Sequence, residues 1–228
     1  MVTPERFMVV KLFILGLPGS GKSAAAHYIE TFALVTSWIP EHLKDYPILL
    51  AMFEEDMKRG GGRFRATKDH GYKGFDMLDP EVIDEALRIL EGQISDRSAQ
   101  NNSEKQLLII EFSRNEYIRS LDIFTSHFSE HTYFLFLEAE IDVCKQRILE
   151  RVKNQRTPDD HYVSEEIFKK YYERDPQNYA RLVVPQLKKR YGIPDQNICV
   201  ITNDQDNPKE HFDEEIKIFV TSILMAQT

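Results

Sequence analysis

Short, continuously apolar runs alternate along the chain with longer stretches in which apolar residues recur every three or four positions. The first run, Phe7 to Leu15, carries Lys11 as its one charge and reads as a buried parallel strand. Ser23-Ala-Ala-Ala-His-Tyr-Ile follows and reads as a helix, because alanine has the best helix propensity. Phe32 to Trp38 is rich in β-branched and aromatic residues, which predicts a second strand stopped by Pro40. Pro47 opens a helix over Ile48 to Lys58, and Gly60-Gly61-Gly62 ends it. Asp79 and Pro80 suit the start of another helix, with Val82, Ile83, Ala86, Leu87 and Leu90 on one face. Leu107 to Ile110 is a fully apolar strand that ends at Glu111.

Asn115 to His127 reads as a helix, Thr132 to Leu137 as a buried strand, and Ile141 to Val152 as a helix. Ser164 caps a helical stretch to Glu173, and a further helix runs from Asn178 to Tyr191 despite Pro185. Asn197 to Ile201 is the last strand. Phe212 to Met225 is an amphipathic helix that turns Ile216, Phe219, Val220 and Leu224 inward. Strands alternating with helices predict a three-layer α/β/α arrangement, about five parallel strands with helices on both faces. With no internal repeat and no linker, residues 1–228 read as one domain, with a helical lid near residues 145–175. Arg63 to Asp79 breaks the pattern. Its polar and basic groups (Arg63, Arg65, Lys68, His70, Lys73) and two glycines predict a long loop, which either lines a substrate site or runs as a solvated surface excursion.

Between the first strand and the first helix lies Gly16-Leu17-Pro18-Gly19-Ser20-Gly21-Lys22-Ser23, the spacing G-x-x-x-x-G-K-[ST]. A polyphosphate has to be wrapped by backbone N–H groups from several directions, and glycines allow that close approach. The following helix points its free N–H groups and positive dipole end at the same place. The expected cradle is Gly16, Leu17, Pro18, Gly19, Ser20, Gly21, Lys22, Ser23 and Ala24. Lys22 supplies a compact cation for the β- and γ-phosphates, and the Ser23 hydroxyl is a hard oxygen suited to magnesium.

Glu111 closes a central strand, so its carboxylate is expected beside that loop. There it holds magnesium directly or through water, or accepts a proton from a substrate hydroxyl. Arg114, at the start of the next helix, is placed to meet a phosphate, and Arg65 is a candidate substrate contact from the polar stretch. Arg147 and Arg151 share a helix face at i, i+4, and Arg156 follows within a turn. Three arginines from one short segment suit a clamp that offsets charge on a transferred phosphoryl group; a salt-bridged surface helix is the other account of them.

Composition narrows the classes. The 228 residues carry a formal net charge of −8, which argues against broad binding to nucleic acid or anionic membranes. No apolar run reaches the ~18 residues of a membrane span, and the N-terminal run lacks a cleavage-like site. Cys144 and Cys199 lie far apart in apolar stretches and read as reduced core residues of a cytoplasmic protein.

These residues give the chain a family likeness. It resembles the P-loop kinases of small molecules, the nucleoside and nucleotide kinase group. Glu111-Phe-Ser-Arg114 is similar to the Asp-Gly-Phe-Pro-Arg stretch of nucleoside monophosphate kinases and to the Glu-Arg-Ser stretch of deoxynucleoside kinases, though Phe112 stands where the second group has arginine. Arg147, Arg151 and Arg156, followed by Asp159-Asp160, resemble the deoxynucleoside kinase lid. Trp38 with Glu41 is similar to that family's substrate strand, with the Glu-Pro order reversed as Pro40-Glu41. Zeta toxins and gluconate-type kinases share the same parts, so a kinase acting on a sugar-containing acceptor stays open as an alternative. The likeness implies ATP and magnesium as cofactors and phosphoryl transfer to a small-molecule acceptor such as a nucleoside or nucleotide. A nucleotide-dependent switch is the rival class; its GTPase form needs Asn-Lys-x-Asp, and Thr202-Asn203-Asp204-Gln205-Asp206 lacks the lysine.

Overall fold

The computed structural model describes residues 8–69, 71–99, 105–155, 160–172, 178–205 and 207–225. In chain order these form β1 (Met8–Gly16), α1 (Lys22–Val35), β2 (Ile39–Lys44), α2 (Asp45–Lys58), β3 (Phe64–Asp69), β4 (Tyr72–Met77), α3 (Glu81–Ala99) and β5 (Lys105–Phe112). Next come α4 (Tyr117–Leu121), which continues as a 3-10 turn over Asp122–His127, then β6 (Thr132–Glu138) and α5 (Ile141–Lys153). The chain ends with α6 (Glu165–Ile167) and a π-helical turn over Phe168–Tyr172, then α7 (Tyr179–Leu182), α8 (Val184–Tyr191), β7 (Ile198–Thr202) and α9 (Lys209–Met225).

Five strands form a parallel sheet in the order β2-β5-β1-β6-β7. The register sets Ile14 opposite Glu111, Gly16 opposite Leu137, and Glu138 opposite Thr202. The C-terminal ends of β1, β5, β6 and β7 therefore meet along one edge, where open α/β sheets bind their ligands.

Successive side chains of β1 alternate between the two faces of the sheet. Val10, Leu12 and Ile14 pack with Ala25, Ala26 and Ile29 of α1 and Ile216 and Val220 of α9. Phe13 and Leu15 pack on the opposite face with Leu87 and Leu90 of α3, Phe124 and Phe134. Burial on both faces explains why these strands read as unbroken apolar runs. Phe13 is a hub of this second layer, stacked on Phe134 at 5.2 Å and edge-on to Phe124 at 5.5 Å and Phe128 at 5.9 Å.

Four segments depart from the sequence expectation. The helix α1 runs on to Val35, because Ala33 is wholly buried against the core. The chain reverses at Ser37 (φ 64°), and Trp38 N–H donates to the Ala33 carbonyl at 2.9 Å. No strand forms at Phe32 to Trp38: Phe32 to Val35 is helical, and the strand, β2, starts at Ile39 and includes Pro40. β2 is an edge strand, where a missing N–H is tolerated.

The stretch Arg63 to Asp79 is an antiparallel hairpin, β3 on β4, rather than a loop. Gly71 (φ 84°) lies in its turn, and His70 falls outside the described residues. An isolated hairpin is marginal in water. This one is anchored by Phe64 and Phe75, which meet Phe53 of α2 at 5.9 and 4.8 Å. The helix expected over 178–191 is broken at Val183, with Pro185 in the first turn of α8. The helix expected over 115–127 is α4 with its tighter 3-10 continuation.

Phe13→Ala should lower the free energy of unfolding by about 3–5 kcal/mol, as removal of a packed phenylalanine does. A urea titration that finds a loss under about 1 kcal/mol would contradict this account of the core.

Candidate active site

The loop between β1 and α1 folds as its residue types require. Gly19 (φ 86°) and Gly21 (φ 103°) occupy the left-handed region. Both are also tightly apposed: a Cβ on Gly19 would overlap the Cys144 carbonyl oxygen, and one on Gly21 would overlap the Asn203 side-chain nitrogen. The first helical bond of α1 runs from Ala25 N–H to the Gly21 carbonyl at 3.0 Å, so the amides before it have no partner within the helix. Ser20 Oγ is fully buried and lacks a hydrogen-bond partner among the described residues. Lys22 Nζ donates to the Gly16 carbonyl at 3.1 Å and the Leu17 carbonyl at 2.8 Å. Burial pushes the Lys22 ammonium below its usual range, while the Glu111 and Asp45 carboxylates pull it back up.

The loop is tied to the strand ends around it. The Tyr117 hydroxyl accepts from Gly16 N–H at 2.7 Å and lies 2.9 Å from the Gly16 carbonyl. Asn203, just past β7, donates from Nδ2 to the Ser20 carbonyl at 2.8 Å. Its own N–H donates to the Glu138 carbonyl at 2.7 Å, and Arg147 donates to its carbonyl at 2.7 Å. Asn203 therefore clasps the loop, the end of β6 and α5 together.

Glu111 stands at the end of β5, as the apolar run before it predicts. Its Oε1 accepts from Ser23 Oγ at 2.9 Å, and its Oε2 lies 3.0 Å from His42 Nε2. Burial works to raise the Glu111 carboxyl, but the His42 hydrogen bond and the nearby cations, Lys22 first among them, outweigh it and hold the pKa at about 2. Glu111 is therefore an anion at neutral pH. Ser23 Oγ and Glu111 supply hard oxygens, and among the described residues no group of three His, Cys, Asp or Glu side chains forms a metal cage. That donor set fits magnesium, which takes most of its ligands from phosphate and water.

Beyond Glu111 opens a cavity of about 310 Å³. Lys22, Ser23 and Ala24 line it together with Tyr46, Leu49, Phe75, Met77 and His161. The Tyr46 and His161 rings are stacked at 3.7 Å and Phe75 lies 6.0 Å from Tyr46, so the wall is largely flat and aromatic. Asp45 and Arg114 also line the cavity, and they form a buried ion pair at 2.6 Å. Burial raises the Asp45 carboxyl, against the pull of Arg114. Arg114 Nε is buried and has no hydrogen-bond partner among the described residues.

The structure brings the sequence candidates together unevenly. Pro18, Gly19, Gly21, Lys22, Ser23, Ala24, Glu111, Arg114, Arg147 and Arg151 all line the one cavity. Arg147 and Arg151 do so while bonded to the Asn203 and His161 carbonyls. Arg156 lies outside the described residues. Leu17 turns away to pack with Cys144, Ile148 and Phe168. Arg65 does not line the cavity: it is half-exposed on the hairpin and paired with Asp76 at 2.7 Å and Glu166 at 2.8 Å. His42, Asp45, Tyr46, Phe75 and Asn203 are site residues that sequence reasoning missed. Asn203 had a usable signal, its place just past the last parallel strand. His42 was hidden because Pro40 was read as a strand stop, whereas it lies in the strand Ile39–Lys44 that carries His42.

No protein-family model matches the sequence, and no curated protein matches it. Comparison with solved structures gives the fold. A gluconokinase from Sinorhizobium meliloti superposes with a TM-score of 0.55 at 13% identity, covering 98% of this chain and 99% of that one. A sugar kinase from Janibacter gives 0.52 at 17% identity, covering 96% and 98%. Kti12 from Chaetomium thermophilum, in complex with ADP-AlF3, gives 0.50 at 12% identity, covering 96% and 99%. The chain shares the fold of these structures, a five-stranded parallel sheet flanked by helices.

The Glu111 anion also makes stability depend on pH. Its folded pKa of about 2 lies below the ordinary 4.5, so its contribution is full above about pH 4.5 and lost as pH falls toward 2, on the order of 3 kcal/mol in all. The stability gap between the wild type and Glu111→Gln, measured by urea unfolding, should narrow from about pH 5 to about pH 3. A gap that stays constant over that range would show that Glu111 is not held as predicted.

Proposed function

We propose that the chain is an ATP-dependent phosphotransferase of the cytoplasm that uses magnesium and phosphorylates a small-molecule acceptor, a nucleoside or nucleotide. The observation that carries this reading is the Ser23–Glu111 hydrogen bond of 2.9 Å, set between the glycine cradle and the aromatic cavity. Ser23 and Glu111 are the residues that would hold magnesium, which when bound offsets the charge of the β- and γ-phosphates.

Lys22 and the first-turn amides of α1 hold and orient the triphosphate. Glu111 faces both the cradle and the cavity. With a pKa of about 2 it is a weak base, so it orients an acceptor hydroxyl by accepting its hydrogen bond rather than by removing the proton beforehand. A loose phosphoryl-transfer transition state asks for little more. Arg147 and Arg151, which line the cavity, offset charge on the group in transit, and Arg156 joins them in this reading.

The cavity walls favour a planar acceptor. Tyr46, Phe75 and His161 line the cavity with aromatic surface, and the Arg114 guanidinium lines it as a cation suited to a phosphate. Leu49, Phe75 and Met77 add apolar surface, which suits a nucleobase better than the hydroxyls of a sugar acid.

The test is a coupled assay of ATP consumption with nucleosides, nucleoside monophosphates and sugar acids as acceptors. ATP use should rise only when a nucleoside or nucleotide is added, and Lys22→Ala should reduce it by about 10²-fold or more. Basal hydrolysis that no acceptor changes would favour a nucleotide switch. A response confined to sugar acids would overturn the acceptor class.

A further inference from the structure

Behind the cavity, on the α1 side of the sheet, polar side chains run in a line away from the P-loop. Ser23 and Glu30 are seven residues apart on α1, two turns along one face. His42 lies opposite Ile109 on the neighbouring strand, and Glu111 is two residues beyond Ile109, so His42 and Glu111 share a face of the sheet. The two pairs interleave. Ser23 Oγ bonds Glu111 Oε1 at 2.9 Å, Glu111 Oε2 meets His42 Nε2 at 3.0 Å, and His42 Nδ1 meets Glu30 Oε1 at 3.5 Å. The His42 side chain is only 11% exposed.

A histidine buried at a sheet edge is ordinarily accounted for by packing or by a backbone carbonyl. Here both ring nitrogens face carboxylates, and one of those carboxylates is the group that meets Ser23. A glutamate has three rotatable bonds, and its carboxylate plane is free unless both oxygens are held. Ser23 holds one oxygen. His42 holds the other.

We propose that His42 is a positioning residue: it fixes the Glu111 carboxylate plane so that Oε1 faces Ser23 and the cation-binding side of the P-loop, and Glu30 fixes the His42 ring. This inference rests on the kinase reading above. It is the arrangement by which outer groups orient the ligands of a metal site, where loss of the outer partner lowers metal affinity or activity by about 10–100-fold.

The experiment measures binding of a fluorescent ATP analogue as magnesium is titrated, together with kcat and acceptor KM. It uses the wild type, His42→Leu, His42→Gln and Glu30→Gln, each checked for folding by circular dichroism. His42→Leu should raise the magnesium concentration at half-saturation about tenfold and lower kcat, with acceptor KM unchanged. The amide of His42→Gln donates from close to the Nε2 position, so that variant should stay within roughly threefold of wild type. Glu30→Gln should shift the midpoint in the same direction as His42→Leu by less. If His42→Leu does not fold, His42→Asn, whose amide falls short of Glu111, takes its place with the same expectation.

A wild-type magnesium midpoint and kcat in His42→Leu, or equal losses in His42→Leu and His42→Gln, would overturn the positioning role and leave the kinase reading standing. A wild-type chain with no magnesium-dependent ATP binding would overturn both.

Discussion

The site depends on keeping a lysine ammonium out of water. Lys22 is 6% exposed, and an isolated buried cation would lose its proton or unfold its surroundings. Glu111 and Asp45 prevent this by supplying negative charge within reach. Each needs compensation in turn. Asp45 has Arg114 at 2.6 Å, and Glu111 has His42 at 3.0 Å as well as Lys22 itself. The floor of the cavity is therefore one balanced cluster, drawn from α1, β2, α2, β5 and the residues that follow β5. Its geometry depends on the sheet register, because Lys44, the residue before Asp45, lies opposite Glu111.

The walls around that floor use weaker forces. The loop before α1 is closed by hydrogen bonds from Tyr117 and Asn203, which reach it from opposite sides of β1 in the sheet. Residues 160–172 reach the same loop through apolar contact: Tyr162 and Phe168 cluster with Leu17, Cys144 and Ile148. They also grip the hairpin, where Ser164 Oγ donates to Asp76 Oδ1 at 3.0 Å. The Gly74 position leaves no room for a side chain, since a Cβ there would stand 2.6 Å from the Tyr162 carbonyl. The hairpin and this segment therefore form one side of the cavity as a unit. Arg65 belongs to that unit, not to the acceptor's surroundings.

The parts of the fold that were legible in the sequence were those with a strong local cause. Strands buried on both faces must be apolar throughout, so β1, β5 and β6 announce themselves. Gly16, Gly19 and Gly21 sit where a Cβ would collide with neighbouring atoms, so their residue type is locally dictated. What was illegible came from pairing and edge position. Pro40 stops a central strand but not an edge strand, and one local residue cannot say which kind it occupies. The hairpin has polar strands whose burial comes from α2 and from residues 160–172, far away in sequence. Motif and strand-end logic pointed to Lys22, Glu111 and Arg114, which line one cavity in the structure. Asp45, Tyr46 and Phe75 reach the site only through tertiary packing, and nothing in their neighbourhoods marks them.

The same cluster constrains the chemistry that the cavity can support. A carboxylate held at a pKa of about 2 by the His42 hydrogen bond and nearby cations is poorly matched to proton abstraction but well matched to staying charged against a metal or a hydroxyl dipole. A neutral pocket around Glu111 would raise its basicity, yet it would also leave Lys22 uncompensated. The two demands conflict, and this chain resolves them in favour of the charge cluster. Phosphoryl transfer tolerates that resolution, because its barrier is lowered mainly by position and charge. Proton abstraction by Glu111 itself, which needs a base poised near neutrality, is poorly served by it.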